Sequence, residues 1–188
     1  YDSILCCTGN SLETKRQYFE LLRSKKVDAI IIAGSKFIEM KAKDNAYIID
    51  AAKELPIILV NGYLEGENIY CTLCDDRTAT HYATSQLIAS GCRKILYLFS
   101  SYSYSGTNKM KGYRDALCGR GLSVQDEYIH QCEKDVLAAR ELLLRLHKEG
   151  LPFDAVLTSD DALAVGAVKY AHMTGRSIPD DLSIIGYN

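Results

Sequence analysis

Short apolar runs alternate with longer amphipathic runs along the whole chain, and this alternation limits the fold more than any other feature. The apolar runs include VDAIIIA, PIILV and KILYLF, which are nearly continuous in Ile, Val and Leu. Such runs are typical of strands that are buried on both faces of a parallel sheet. The predicted strands cover residues 3–7, 27–33, 56–60, 69–74, 94–99, 127–132, 154–159 and 182–187.

Helical periodicity marks the segments between these strands. Tyr18, Leu21 and Leu22 are expected on one face of a helix, because residues three and four apart share a face. A second helix shows the same spacing at Val136, Ala139, Leu143 and Leu146. A third covers residues 78–90 and ends at Gly91, a residue type that terminates helices. This order of elements predicts an α/β fold with parallel strands and right-handed crossovers.

Charge and composition exclude two kinds of surface. The formal net charge is −2, so these residues are not expected to form a nucleic-acid contact surface, which needs a basic patch. No apolar run is long enough to span a bilayer, and no signal peptide opens the chain.

The start at Tyr1, without Met, is interpreted as a cut into a longer protein. Seven scattered cysteines, an odd number, predict free thiols in a reducing cytoplasm.

Motifs for catalysis, cofactor binding and metal binding are not found. The sequence has no Gly-rich phosphate loop and no Gly-x-Ser-x-Gly elbow, so neither a cofactor nor an enzyme activity is predicted. Cys71 and Cys74 have the spacing of half a zinc or redox site. They fall on a predicted strand, where residues three apart point to opposite faces. We therefore interpret both cysteines as structural residues and predict no metal site.

Polar residues follow three of the predicted strands. Asp75-Asp76 and Asp160-Asp161 each lie where a strand gives way to a helix. One carboxylate of each pair is expected to cap the helix, and the other could bind the hydroxyls of a ligand. The loop SSYSYSGTNK, residues 100–109, adds hydroxyls and two tyrosines. In an open parallel sheet, ligands bind outside the carboxyl ends of the strands, so a small-molecule site is predicted there.

Four segments, in order, resemble the LacI and GalR family of bacterial transcription regulators. They are the stretch from YDSILCC to VDAIIIAGS, CDDRTATHYATSQLIASGCRKILYLFS, NKMKGYRDALCGRGLSV, and the tail FDAVLTSDDALAVGAVKYAHMTGRSIPDDLSIIGYN. The resemblance implies a two-lobed fold of the periplasmic-binding-protein type, with an effector held in the cleft between the lobes. Residues 1–90 would form part of the N-terminal lobe and residues 91–188 part of the C-terminal lobe, both incomplete.

Position-by-position matching with the family implies a set of effector contacts. These are Asn10, Asp76, Ser103, Ser105, Lys109, Asp160 and Asn188. Lys109 stands where the family usually has Arg, so the bidentate grip of a guanidinium is lost. Asp160 stands where Asn is usual and Asn188 where Asp is usual, which keeps one carboxylate and one amide. That combination suits a polyol.

The function implied by the resemblance is effector sensing in a cytoplasmic bacterial regulator, with a sugar, a sugar phosphate or a related polyol as effector. Such a regulator would be a homodimer and would bind operator DNA through an N-terminal helix-turn-helix, which this sequence lacks. Some members of the family use a protein corepressor, and the resemblance leaves that open. The alternative is an extracytoplasmic sugar-binding protein of a transport system. An α/β enzyme that uses the Asp160 region is a third hypothesis.

Overall fold

A computed structural model describes residues 2–187, which form two compact units. The first unit contains the chain up to Cys74 together with Ser103–Ser105. The second contains residues 75–102 and the chain from Gly106 onward. The resemblance implies a division between residues 90 and 91, which differs from this one, because residues 76–89 form a helix that packs within the second unit. The lobe boundary therefore stays a prediction.

The first unit is a three-stranded parallel sheet with helices. Its elements are α1 (Leu12–Ser24), β1 (Ile30–Ala33), a 3-10 turn (Ala42–Asn45), α2 (Ala46–Ala52), β2 (Ile57–Val60) and β3 (Ile69–Thr72), with strand order β1-β2-β3. One face of the sheet packs on Phe19 of α1 and Ile48 of α2. Burial alternates along β1 and β2, as expected for strands with one covered face.

A buried lysine holds the segment after β1 in place. The ammonium group of Lys15 on α1 forms an ion pair with Glu39 at 2.6 Å and donates to the carbonyl oxygens of Lys36 and Phe37. Lys15 is only 1% exposed. A buried charge is tolerated when it is paired and hydrogen-bonded, and these contacts meet that condition.

The second unit is a four-stranded parallel sheet between two layers of helices. Its elements are α3 (Asp76–Ala89), β4 (Ile95–Phe99), α4 (Tyr104–Gly119), a 3-10 turn (Asp126–Tyr128), β5 (Ile129–Gln131), α5 (Val136–Lys148), β6 (Ala155–Thr158), α6 (Asp161–Met173) and β7 (Ser183–Ile185). The first two residues of α4 group with the first unit. The strand order is β5-β4-β6-β7.

Every residue of β4 and β6 is buried, because alternate side chains enter different cores. Leu96 and Leu98 join the core beneath α5 and α6. Tyr97 and Phe99 join the core beneath α3 and α4. A strand with both faces covered needs apolar residues at every position, which explains the unbroken run KILYLF.

One carboxylate aligns the starts of the two central strands. Asp154 accepts hydrogen bonds from the backbone N–H groups of Arg93 at 2.7 Å and Lys94 at 3.0 Å. Its own N–H donates to the carbonyl of Lys94, and its carbonyl accepts from Ser183. Strands β4, β6 and β7 therefore begin at a common level.

The predicted α/β class with parallel sheets is confirmed, and so are seven of the eight predicted strands within residues 2–187. The strand predicted at residues 3–7 is wrong. That segment forms no ladder, and Ile4 and Leu5 are exposed. An apolar run becomes a strand only when a neighbour satisfies its backbone groups, and no neighbour lies beside it among the described residues.

The three predicted helices are confirmed, but the buried face of α1 differs from the predicted one. Leu21 is exposed, whereas Phe19 is buried and Leu22 is partly buried. The buried stripe contains residues 15, 19 and 22, because Phe19 and Leu22 pack in the core and Lys15 is paired with Glu39.

Candidate functional site

Polar residues gather at the carboxyl edge of the second sheet. Ser100 follows β4, Ser159 and Asp160 follow β6, and Tyr187 follows β7. These strands are parallel neighbours, so their carboxyl ends lie at one edge, the location where open α/β sheets bind ligands. The hydrogen bond from the Ser100 N–H to the Ser159 hydroxyl, at 3.1 Å, joins the ends of β4 and β6 directly.

The carboxylate of Asp160 joins several polar side chains at this edge. It accepts hydrogen bonds from the hydroxyls of Ser100 at 2.6 Å and Ser159 at 2.7 Å, and it pairs with the Lys134 ammonium at 2.6 Å. Burial opposes ionisation of Asp160, but Lys134 and the two hydroxyls outweigh it, so the pKa of the carboxyl is lowered. The group is therefore a carboxylate at neutral pH.

Lys109 lies on α4 beside Asp160. Its ammonium donates to the carbonyl oxygen of Ser159 at 3.0 Å and lies 4.0 Å from the centre of the Tyr187 ring. A cation over an aromatic face is attracted by the ring quadrupole. Lys109 thus has a defined position, although a single ammonium lacks the fork geometry of a guanidinium.

Tyr187 connects this edge to α3. Its hydroxyl donates to Oδ1 of Asp76 at 2.8 Å, and Asp76 is only 2% exposed. The neighbouring Asp75 caps α3 by accepting from the Thr78 N–H at 3.0 Å. The prediction that one member of this pair caps a helix is confirmed, with Asp76 left for the site. Because Asp76 is buried, it is joined to the polar edge through Tyr187.

The second aspartate pair behaves differently. Asp160 occupies the N-cap position of α6, but its side chain makes no capping hydrogen bond. The carboxylate is turned toward Ser100 and Lys134 instead. Asp161 lies in the first turn of the helix, where a negative charge favours the positive end of the dipole. The residue of this pair that belongs to the polar cluster is therefore the one at the cap position.

The other predicted contacts are not part of this cluster. Asn10 is exposed in the turn before α1. Ser103 and Ser105 are buried and group with the first unit, where the hydroxyls of Ser35 and Ser103 lie 3.1 Å apart. Asn188 lies outside the described residues. All four remain predictions, and the described cluster contains Asp76, Lys109 and Asp160.

Lys134 and Ser159 belong to this cluster through their contacts with Asp160, and the sequence did not identify them as candidates. Lys134 follows β5, between Glu133 and Asp135, so it reads as part of a solvated charged loop. Its pairing with Asp160 depends on β5 and β6 flanking β4, an order that periodicity does not reveal. The available signal was its place just after a predicted strand.

The residues predicted as structural cysteines make ordinary contacts. The Cys71 thiol lies 3.6 Å from the Leu64 carbonyl oxygen, and Cys74 is exposed. Within residues 2–187, no group of three or more His, Cys, Asp or Glu side chains is arranged to hold a metal ion. Across the same residues, no helix is both long enough and apolar enough to cross a membrane.

The cluster offers both kinds of hydrogen-bonding partner to a small molecule. Lys134, which is about half exposed, presents donors, and Asp160 presents a partly exposed carboxylate. Tyr102, also about half exposed, packs edge-on against Phe99 at 4.9 Å nearby in the chain. Alternating donors and acceptors beside an aromatic ring can hold a hydroxylated ring compound.

Comparison with known proteins gives one consistent family. The family described as periplasmic binding proteins and sugar-binding domain of the LacI family matches residues 1–188. The chain is 51% identical over 188 residues to an HTH-type transcriptional regulator of Lachnoclostridium phytofermentans, covering all of this chain and 56% of that protein. It is 29% identical to the regulator AscG of Escherichia coli, covering 95% of this chain and 52% of AscG. The chain spans about half the length of the curated relatives it matches.

Solved structures agree with these relatives. A sugar-binding LacI-family regulator from Escherichia coli, complexed with phosphate, superposes with a TM-score of 0.81 at 28% identity, over 94% of this chain and 63% of that one. The regulator CcpA of Lactococcus lactis gives 0.83 at 26% identity, over 98% of this chain and 66% of that one.

Proposed function

Because the chain belongs to the family of periplasmic binding proteins and LacI-type sugar-binding domains, we propose that it is the effector-sensing part of a bacterial transcription regulator. The observation that carries the proposal is the Asp160 cluster, in which Ser100, Ser159 and Lys134 hold one carboxylate at the ligand-binding edge of a parallel sheet. The relatives named above are transcriptional regulators, which favours a regulator over a transport protein or an enzyme.

The proposed effector is a sugar, a sugar phosphate or a related polyol. A carboxylate accepts from ligand hydroxyls, and lysine ammonium groups donate to hydroxyl or phosphate oxygens. Asp160 already accepts three hydrogen bonds from the protein, so it has capacity for roughly one more. Lys134 and Lys109 supply the remaining donors. The effector is thus held mainly by ammonium groups that Asp160 and Ser159 orient.

In the whole protein, effector binding would be coupled to operator DNA in a cytoplasmic homodimer. A coupling free energy of about 1–3 kcal/mol is typical of such systems, and it acts equally in both directions. An effector that weakens operator binding tenfold is itself bound tenfold more weakly by the DNA complex. A protein corepressor remains an alternative source of the signal.

Thermal unfolding against sugars, sugar phosphates and nucleobases tests this function. A ligand at 100 times its Kd adds about 2.7 kcal/mol to the free energy of unfolding, which raises Tm by several degrees in a protein of this size. Asp160→Asn and Lys109→Met should abolish the shift, and Asn188→Ala tests the predicted contact there. Lys148→Met, at an exposed lysine of α5, is the matched control. A shift that survives both Asp160→Asn and Lys109→Met contradicts the proposed site.

A further inference from the structure

Three buried polar atoms of the second unit have no protein partner. They are Oδ2 of Asp76, the hydroxyl of Thr80 and the hydroxyl of Tyr97. None of the three residues is more than 2% exposed. A buried polar group without a hydrogen bond destabilises the folded state, so three in one unit require an explanation.

The three groups belong to one layer of the second unit. Asp76 and Thr80 are four residues apart on α3, so they lie on the same helical face. Tyr97 of β4 extends into the core that contains Leu87 and Ile88 of the same helix. Tyr97 is in register with Leu157, and Leu157 with Ile185, two residues before Tyr187. Tyr97 and Tyr187, the hydrogen-bonding partner of Asp76, therefore lie on the same face of the sheet. Burial, followed by the charges of Asp160 and Asp76, raises the pKa of Tyr97.

Other buried tyrosines of this unit do have partners. The Tyr113 hydroxyl donates to the Ile95 carbonyl at 2.8 Å, and the Tyr128 hydroxyl donates to that of Pro152 at 2.8 Å. The Tyr113 and Tyr97 rings are stacked with centres 5.0 Å apart. Tyr113 therefore shares the surroundings of Tyr97 and differs in having a direct partner.

We propose that this layer contains a binding site for one internal water molecule, which accepts a hydrogen bond from the Tyr97 hydroxyl and donates one to Oδ2 of Asp76. Thr80, one turn further along α3, provides a third partner. Internal waters typically make two to four such bonds in polar surroundings. Because Oδ1 of Asp76 accepts from Tyr187, the water would link β4 to α3 and, through Tyr187, to the polar edge of the sheet. The site does not depend on the effector-sensing function.

Two Tyr→Phe substitutions test the site by the direction in which each changes Tm. If water bonds the Tyr97 hydroxyl, Tyr97→Phe removes a hydrogen bond and should lower Tm by about 2–4 °C. Tyr113→Phe, the matched control, should lower Tm by a similar amount because it also removes one bond. If the Tyr97 hydroxyl is truly unbonded, its removal relieves a desolvation cost and Tm stays constant or rises. That result overturns the proposal.

A crystal structure beyond about 1.8 Å resolution provides the direct measurement. The expected result is a density peak about 2.6–3.2 Å from both the Tyr97 hydroxyl and Oδ2 of Asp76. The peak should disappear in Tyr97→Phe crystals and persist in Tyr113→Phe crystals. A dry contact between the two residues overturns the proposal. So does a peak with shorter distances that responds to exchange of sodium for potassium, because it identifies a cation.

Discussion

The two sheets are both parallel, yet only one is covered on both faces. In the first unit, Ile31 is 71% and Tyr70 is 59% exposed, on the face opposite the Phe19 core. In the second unit, every residue of β4 and β6 is buried between two helical layers. The described polar cluster lies at the edge of the doubly covered sheet. A binding constellation needs supporting residues whose positions are locked by packing, and the second unit provides them.

The largest expected effect concerns the covered strands. Leu157 in β6 is 1% exposed and belongs to the core beneath α3 and α4. Leu157→Ala should lower the free energy of unfolding by about 2–5 kcal/mol, because the deletion leaves a cavity between packed layers. Ile31→Ala, on the open face of β1, should change it by less than about 0.5 kcal/mol. Urea unfolding of both variants measures the contrast. Equal losses would show that the open face is covered in solution.

A smaller effect is expected where two helices of the second unit touch. A methyl group at Gly112 of α4 would overlap the carbonyl oxygen of Arg77 and lie 2.9 Å from the His81 nitrogen on α3. Gly112→Ala should therefore cost about 1–3 kcal/mol by overpacking. At Gly119, at the end of the same helix, a methyl group would meet only open space, so Gly119→Ala should be neutral or slightly stabilising. Differential scanning calorimetry separates the two, and similar Tm values would refute tight packing of α3 on α4.

The smallest expected effect is a pH dependence at the polar edge. The pKa of Asp160 is lowered in the folded protein, so its ionised form stabilises the fold above the unfolded-state pKa of about 4 and loses that effect as pH falls below it. Asp160→Asn should cost about 1 kcal/mol at pH 6 through loss of charge-assisted hydrogen bonds. The difference from the unsubstituted protein should shrink toward pH 3. Urea unfolding at the two pH values checks this, and a constant difference would contradict it.

Most of the fold could be predicted because its strands are apolar along their full length. The run DAVLTS carries a complete signal for β6, since both faces of that strand need apolar residues. The run at residues 3–7 carries a similar signal and fails, because pairing depends on a neighbouring strand that periodicity cannot supply. The buried face of α1 was missed for a related reason, since Lys15 is buried through contacts with Glu39 and with the carbonyls of Lys36 and Phe37, all distant in sequence.

The candidate site was predictable only in part. Asp76, Lys109 and Asp160 were identified through position after a strand and through the family resemblance, and the structure brings them into one connected cluster. Lys134 could not be identified, because its pairing with Asp160 reaches across the end of β4. Contacts between segments that are distant in sequence depend on strand order, which local patterns do not contain.

Through the hydrogen bonds of Asp154, the positions of residues at the polar edge depend on the opposite end of the sheet. Asp154 sets where β4 and β6 begin, and each later residue adds about 3.3 Å of rise. Asp154 is therefore an anchor at the amino ends of the strands, and it sets the positions of Ser100 and Asp160 at their carboxyl ends. Under the proposed function, effector selectivity would change through a substitution at that anchor, without any change in the residues proposed to touch the effector. Screens for altered preference among the proposed effectors should include position 154 for this reason.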